Sequence, residues 1–347
     1  MRRKGLLIVC LAAVLVLSLV AACAPAAGPA PEAPMKPQKW DCMMYMAGLT
    51  TFTDIQLQAA FGRIKERTNG LLDIRLVPHG GLPIKSEEWL RAVSAGELEM
   101  TEASGEYHSG DYPFLAILDI PFLFTNKLEK RMIWEAARPI VQREMNKVNV
   151  QVLAYHAIDN QCFCANKPVD LMDLKGLKVR SYSAMTANMI TAMKGVPVPV
   201  AWPEVYSALE KGVADALLTG ASAIYEAKLH EVAPYSYDIG LLNGIWYIAV
   251  NKDLWDALPC SVKEIVFEEL AQYQGLSIIY NQMEMGRTFD KMLAAGGKGH
   301  EKAPPEFFDL MWEEVSKVMM EEEVAKSGAV GEEILAAIEQ ALGRKLI

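Results

Sequence analysis

One arginine holds a position where its charge must be answered. In DLKGLKVRSYS, residues 173–183, a lysine-rich turn leads into a short apolar stretch, LKVRS (177–181), that delivers Arg180 at its end. A guanidinium half-sequestered at a strand end needs an anion, because a lone buried charge costs several kcal/mol. Its planar fork matches a carboxylate with two parallel hydrogen bonds, a geometry lysine cannot imitate. Two partners are open on these grounds, an acid of the protein itself or the carboxylate of a ligand. The nearby acids Asp170 and Asp173 precede the strand and fall toward its far end.

Other residue types that could do chemistry are sparse. The five histidines, His79, His108, His156, His230 and His300, form no metal-spaced pair. Glu106, Tyr107 and His108 are adjacent and could make an acid/base cluster, but they read as a loop. There is no Gly-x-Ser-x-Gly nucleophile elbow and no GxxxxGK[ST] phosphate loop. Cys162 and Cys164 alternate on a strand and point the same way, so they read, with Cys42 and Cys260, as free buried thiols without zinc spacing. The pattern implies no catalytic residues, no metal and no cofactor, and therefore not an enzyme.

The chain has 347 residues, 52% hydrophobic and 22% charged, enough for two packed domains. Net charge is −9, and the body without residues 1–22 is more acidic still, which disfavours nucleic acid as a partner. Arg2, Arg3 and Lys4 precede an apolar run from Leu6 to Ala22, the form of a signal peptide over 1–22. The run ends Val20-Ala21-Ala22-Cys23, which resembles a lipobox and predicts lipidation of Cys23. Residues 24–38, APAAGPAPEAPMKPQ, hold five prolines and read as an extended tether. Such a tether would reach roughly 45 Å from a membrane. The body is thus expected to be extracytoplasmic and anchored by an N-terminal lipid.

From Trp40 onward strand and helix patterns alternate. Strands are expected at 42–47, 71–78, 98–103, 149–157, 161–166, 177–181, 196–200, 213–218 and 244–250. Helices are expected after Thr53, Ser86 and Ser183, in PEVYSALEK from Pro203, and from Ser261 to about Met292. In the helix after Ser183, Met185, Met189 and Met193 make a stripe that reads as core packing. The grammar is that of parallel sheets flanked by helices, given twice, with a cleft between the two units. Ligands of such sheets sit beyond the carboxyl ends of the strands, where Arg180, Ser104 and Thr219 fall.

DLKGLKVRS followed by AWPEVYSALEKGVADA resembles the solute-receptor signature of tripartite ATP-independent periplasmic (TRAP) transporters, the DctP family. The resemblance runs from about Trp40 to Leu335 and includes LDIPFLF (118–124). It implies an α/β fold of two domains, a type II-like periplasmic-binding-protein fold with crossover strands, an interdomain cleft and a long helix in the C-terminal half. The implied domains are 40–158 with 242–280 and 159–241 with 281–347, after the 1–22 signal and the 23–39 tether. The implied function is binding a small organic acid by closure and delivering it to TRAP-type membrane permease subunits. By motif, Arg180 matches the arginine that clamps the substrate carboxylate, Trp202 an aromatic position against the ligand, and Thr219 a position commonly asparagine. Gln161 stands where some members carry a second arginine, and Asn243, Tyr45, Met46 and Ser104 fall near family contact positions.

The chain departs from the family pattern after the PEVYSALE helix, where Asp215-Ala216-Leu217-Leu218-Thr219-Gly220 replaces a more polar run. With Gln161 in place of a second arginine, a doubly anionic ligand is disfavoured. Trp202, Tyr45, Phe163, Trp246 and Tyr107 supply aromatic surface, so the expected ligand is a monocarboxylate with an apolar or aromatic body. A receptor that reports to a membrane signalling partner would have the same body, and an exported hydrolase is the remaining alternative.

Overall fold

Helix starts follow the side chains that can reach back to unpaired N–H groups. In the computed structural model, which describes residues 35–46, 48–49, 51–156, 160–241 and 244–347, the first helix is Phe52–Arg67. Its cap is Thr51, where Thr53 was expected. The Thr51 hydroxyl accepts from the Asp54 N–H and the Asp54 carboxylate accepts from the Thr51 N–H, a reciprocal pair that starts the helix two residues earlier. Ser183 makes the same kind of box with Thr186 and starts the helix Ala184–Ala192, as its sequence position predicts. Ser86 begins a 3-10 turn, Ser86–Glu88, and the helix Trp89–Ala95 follows until Gly96 takes φ +77°. Met189 and Met193 are fully buried, and Met185 packs beside them, so the methionine stripe is core.

Eleven strands among the described residues form two sheets. The first contains β1 (Gln38–Met43), β2 (Leu72–Val77), β3 (Met100–Ala103), β4 (Val150–His156) and β10 (Trp246–Asn251), in the order β2-β1-β3-β10-β4. The second contains β5 (Gln161–Ala165), β6 (Lys178–Ser181), β7 (Val196–Pro199), β8 (Ala216–Gly220), β9 (Tyr235–Leu241) and β11 (Gly299–Lys302), in the order β11-β9-β5-β8-β6-β7. β1 runs parallel to β2 and β3, and β6 parallel to β7 and β8, as the alternating grammar requires. β10 and β5 are antiparallel to both their neighbours. These are the strands by which the chain re-enters a sheet from the other lobe without a helical crossover, so nothing forces them parallel. The α/β class holds, with mixed sheets.

Each lobe has its own core. The first buries Trp89 and Trp134 completely, each contributing about 1.5–3 kcal/mol or more of apolar burial. The second buries Phe163, Val179 and Phe307, which removes Phe163 from the expected binding aromatics. The long helix Cys260–Ala294 spans both: Val262, Val266, Leu270 and Tyr273 pack under the first sheet, Phe289 and Met292 under the second. The C-terminal segment does not stay with the second lobe, where 281–347 was expected. Phe307, Met311 and Val315 do, but Met320, Val324, Ile334 and Ile338 belong to the first lobe's core, because the helix Ala329–Leu342 lays its i, i+4 isoleucines on Lys127–Lys147.

LDIPFLF also bridges the lobes. Leu118, Ile120, Leu123 and Phe124 sit in the first core, whereas Phe122, at φ +57°, turns its ring edge-on to Phe307 and Phe308 of the second lobe, centroids 6.1 and 5.9 Å away. A left-handed phenylalanine costs of order 1–3 kcal/mol, offset here by that interlobe packing. Cys42, Cys162 and Cys164 are in no disulfide among the described residues and are buried, as expected, but Cys260 is exposed because it opens the long helix at the surface. Of the earlier expectations, the 1–22 signal, Cys23, most of the tether and Asn243 lie outside the described residues.

Candidate ligand-binding cleft

Between the sheets lies a cavity of about 1570 Å³. Arg180 comes from β6, held between β7 and β8, and is 4% exposed. Its Nε donates to the Val200 carbonyl at 3.1 Å, which fixes the plane of the guanidinium. Its carbon lies 4.8 Å from the centre of the Tyr182 ring and 5.8 Å from that of Trp202, so two aromatic rings flank the charge. Among the described residues no carboxylate is in ion-pair contact with it. Burial lowers its pKa, opposed by Tyr182, Tyr107 and Glu106 nearby. The question left open by the sequence is thereby narrowed: Asp170 and Asp173 do not answer the charge.

Gln161 and Thr219 stand on neighbouring strands of the same wall. Both are nearly buried, and Gln161 Nε2 donates to the Tyr182 hydroxyl at 2.6 Å. Tyr182 itself was not singled out from the sequence. Strand alternation puts residues 180 and 182 on one side, and that was the available signal.

The opposite wall is aromatic and acidic. Tyr45 stacks on Tyr107 at 4.3 Å and meets Trp89 at 4.7 Å and Trp246 edge-on at 4.8 Å. Its hydroxyl is 2.9 Å from His108 Nε2, and its backbone N–H donates to Glu102 Oε2 at 2.8 Å. His108 is 1% exposed, and burial lowers its pKa to about 4, so it serves Tyr45 as a neutral ring. Met46 lines the cavity as expected. Ser104 does not: it is fully buried just before the helical turn Gly105–His108, behind the wall. That turn, where a loop was expected, points Glu106 and Tyr107 into the cavity and sends His108 into the core.

A buried polar layer holds this turn in place. Asp119 Oδ2 accepts the Glu106 N–H at 2.7 Å, and Lys130 Nζ donates to the Gly244 carbonyl at 2.7 Å. Burial drives both Asp119 and Lys130 toward their neutral forms, and the charge each carries draws the other back. Two glycines make the fit possible. A Cβ on Gly105 would lie 2.3 Å from the Leu115 carbonyl oxygen, and one on Gly244 would lie 1.6 Å from Asp119 Oδ1. Glu106 faces the Tyr182 and Ser183 hydroxyls and Arg180, which pull its pKa down, but burial outweighs them and raises it to about 7. No step of covalent chemistry is suggested by this arrangement; it is a place for an anion to be held.

Comparison with known proteins agrees with the geometry. The sequence model of DctP, described as bacterial extracellular solute-binding protein, family 7, matches residues 55–326. The C4-dicarboxylate-binding periplasmic protein DctP of Rhodobacter capsulatus is 27% identical over 298 residues, 82% of this chain and 85% of that protein. A Bordetella pertussis extracytoplasmic solute receptor that binds pyroglutamic acid superposes with TM-score 0.78 at 25% identity, over 87% of this chain and 99% of its own. A marine metagenome TRAP solute-binding protein, specific for pyroglutamate, gives 0.77 at 26% identity over 88% and 99%. With a matched model covering most of its length and two lobes around one buried arginine, this chain belongs to the DctP family of extracytoplasmic solute-binding proteins, the receptors of TRAP transporters for small organic acids, and not to an enzyme family.

Proposed function

We propose that the protein binds a monocarboxylate with an apolar or aromatic body and delivers it to TRAP-type membrane permease subunits. The observation that carries this reading is Arg180, nearly buried, flanked by two rings and in ion-pair contact with no carboxylate among the described residues. Gln161, in place of a second arginine, offers no charge for a second carboxylate, and the stacked Tyr45, Tyr107 and Trp246 offer apolar surface for the ligand's body. The two similar receptors bind pyroglutamate, a compact monocarboxylate, which fits the same requirement. At about 1570 Å³ the cavity exceeds the roughly 300–1,000 Å³ of a small-molecule pocket. Closure of the lobes would reduce it, exclude water and strengthen the bonds to Arg180. The ligand favours the closed form because only there does it touch both walls.

The N-terminal sequence supports a lipoprotein: cleavage after residue 22, a lipid on Cys23 and the proline-rich tether to the body. A thermal-shift screen of mono- and dicarboxylates tests the ligand reading. A cognate acid at 100 times its Kd should add about 2.7 kcal/mol of stability, and dicarboxylates stabilising more than any monocarboxylate would contradict it. For the anchor, metabolic labelling with a radioactive fatty acid that marks a Cys23→Ser variant as strongly as the parent would contradict lipidation.

A further inference from the structure

Glu106 is a carboxylate in the wall opposite the guanidinium. It enters the cavity from the turn Gly105–His108 of the first lobe, while Arg180 enters from β6 of the second. Tyr182 and Ser183, also of the second lobe, reach its carboxylate across the cleft. Its Oε1 is fully buried and has no hydrogen-bond partner among the described residues. A buried acceptor left unsatisfied costs free energy, and here it stands at a ligand cavity rather than in a core. The turn is held for this purpose: Asp119 grips the Glu106 N–H, and Gly105 lets the backbone press against Leu115.

Resting on the monocarboxylate reading, we infer that Glu106 is the specificity-determining residue of the cleft, accepting an N–H or O–H that the ligand carries beside its carboxylate. The ligand class is then an acid with a donor on the adjoining atom, such as an α-hydroxy acid or a cyclic amide acid whose ring nitrogen bears hydrogen. Arg180 takes the carboxylate from one lobe and Glu106 takes the donor from the other, so one small molecule can join the two walls. An acid without the donor leaves Glu106 Oε1 buried and unsatisfied, and that is the basis of rejection. The same wall also carries Glu102 and Glu87, which repel an acid presenting a second anionic end. The groups that face Glu106 are Arg180, Tyr182, Ser183, Tyr107 and Asp119.

Calorimetry with matched pairs of probes tests this. The pairs are L-pyroglutamate against its lactone isostere, in which ring oxygen replaces N–H, L-lactate against propionate, and L-mandelate against phenylacetate. In the wild type, for whichever pair binds, the donor-bearing member should bind about 10- to 100-fold tighter than its twin. In Glu106→Leu that gap should close to about twofold, with the twin's affinity kept, and Glu106→Gln, which retains an acceptor oxygen, should recover part of it. A twin that binds the wild type as tightly, or a gap that survives Glu106→Leu, overturns the inference. If Arg180→Ala abolishes that same binding, the receptor reading stands without it. The wild-type comparison decides even if the leucine variant does not fold. Failure of every probe, while a donor-free acid from the wider screen binds, overturns the inference alone, and failure of every acid overturns both.

Discussion

The second lobe meets the cleft with Arg180 between two rings, and with Gln161 and Thr219 on adjacent strands; its polar groups are spaced by sheet geometry. The first lobe meets it with Tyr45, Tyr107 and Trp246 packed on one another, and with Glu106 carried on a short turn above Asp119 and Lys130. One wall is a strand-borne cation in a fixed plane. The other is an aromatic and acidic surface whose position depends on a buried polar layer. If Arg180 takes the carboxylate as proposed, the second lobe should supply most of the affinity for it, and the first should select among carboxylates by shape and by hydrogen bonding. Either half of that division can be broken by experiment.

The largest expected effect is on the second wall. Arg180→Ala should cost on the order of 2–5 kcal/mol in ligand affinity while the fold is kept, and Arg180→Lys should also bind poorly because an ammonium lacks the fork. Unchanged calorimetric affinity in either variant would mean that the carboxylate is held elsewhere. The first wall should be the more pH-sensitive of the two. His108 has a folded pKa of about 4 against an ordinary 6.5, so the unfolded chain takes up its proton first. Its contribution is full above pH 6.5 and is lost as pH falls from there toward 4, by about 3 kcal/mol in all. Denaturant titrations across that window should show the slope, and His108→Asn should flatten it. An equal slope in the variant would place the acid sensitivity in other groups.

Gly244→Ala should destabilise by about 1–3 kcal/mol or more, since its Cβ collides with Asp119. A thermal melt equal to the parent's would show that the polar layer under the first wall yields easily. Tyr182→Phe removes the hydroxyl that Gln161 donates to and that faces Glu106. It should weaken binding by about 1 kcal/mol with little change in melting temperature, and a larger loss of stability than of affinity would make Tyr182 part of the lobe's core. Outside the cleft, Arg75→Ala breaks an exposed two-pronged ion pair with Asp41 on the edge of the first sheet. Neither melting nor binding should move measurably, and a fall in affinity would extend the first wall's role to that edge.

Much of the second wall was legible in the chain. A strand period, a helix cap at Ser183 and a charged residue at a strand end are local features, and each lies within a few residues of Arg180. The first wall was not, because its parts come from four separated segments: Tyr45, Glu106, Asp119 and Trp246 lie far apart in sequence, and only packing brings them together. Glu106-Tyr107-His108 reads as a loop because four residues are too few for a helical pattern to show, yet Gly105 and Asp119 fix it as a turn. Ser104 and Phe163 failed as contacts for a related reason. Sequence periodicity separates the two faces of a strand but does not say which face a cavity will meet, and both are in the core.

The alternation of strands and helices, the near-complete span of the long helix, the need for an anion at Arg180 and the family signature around it can all be read along the chain. Those are consequences of local periodicity, capping and charge. The tertiary structure alone decided that the C-terminal helices return to the first lobe, that Phe122 crosses between cores, and that Glu106 faces Arg180 across the cleft. Such choices depend on which apolar faces find one another over long stretches of chain, and no window of neighbouring residues contains that information.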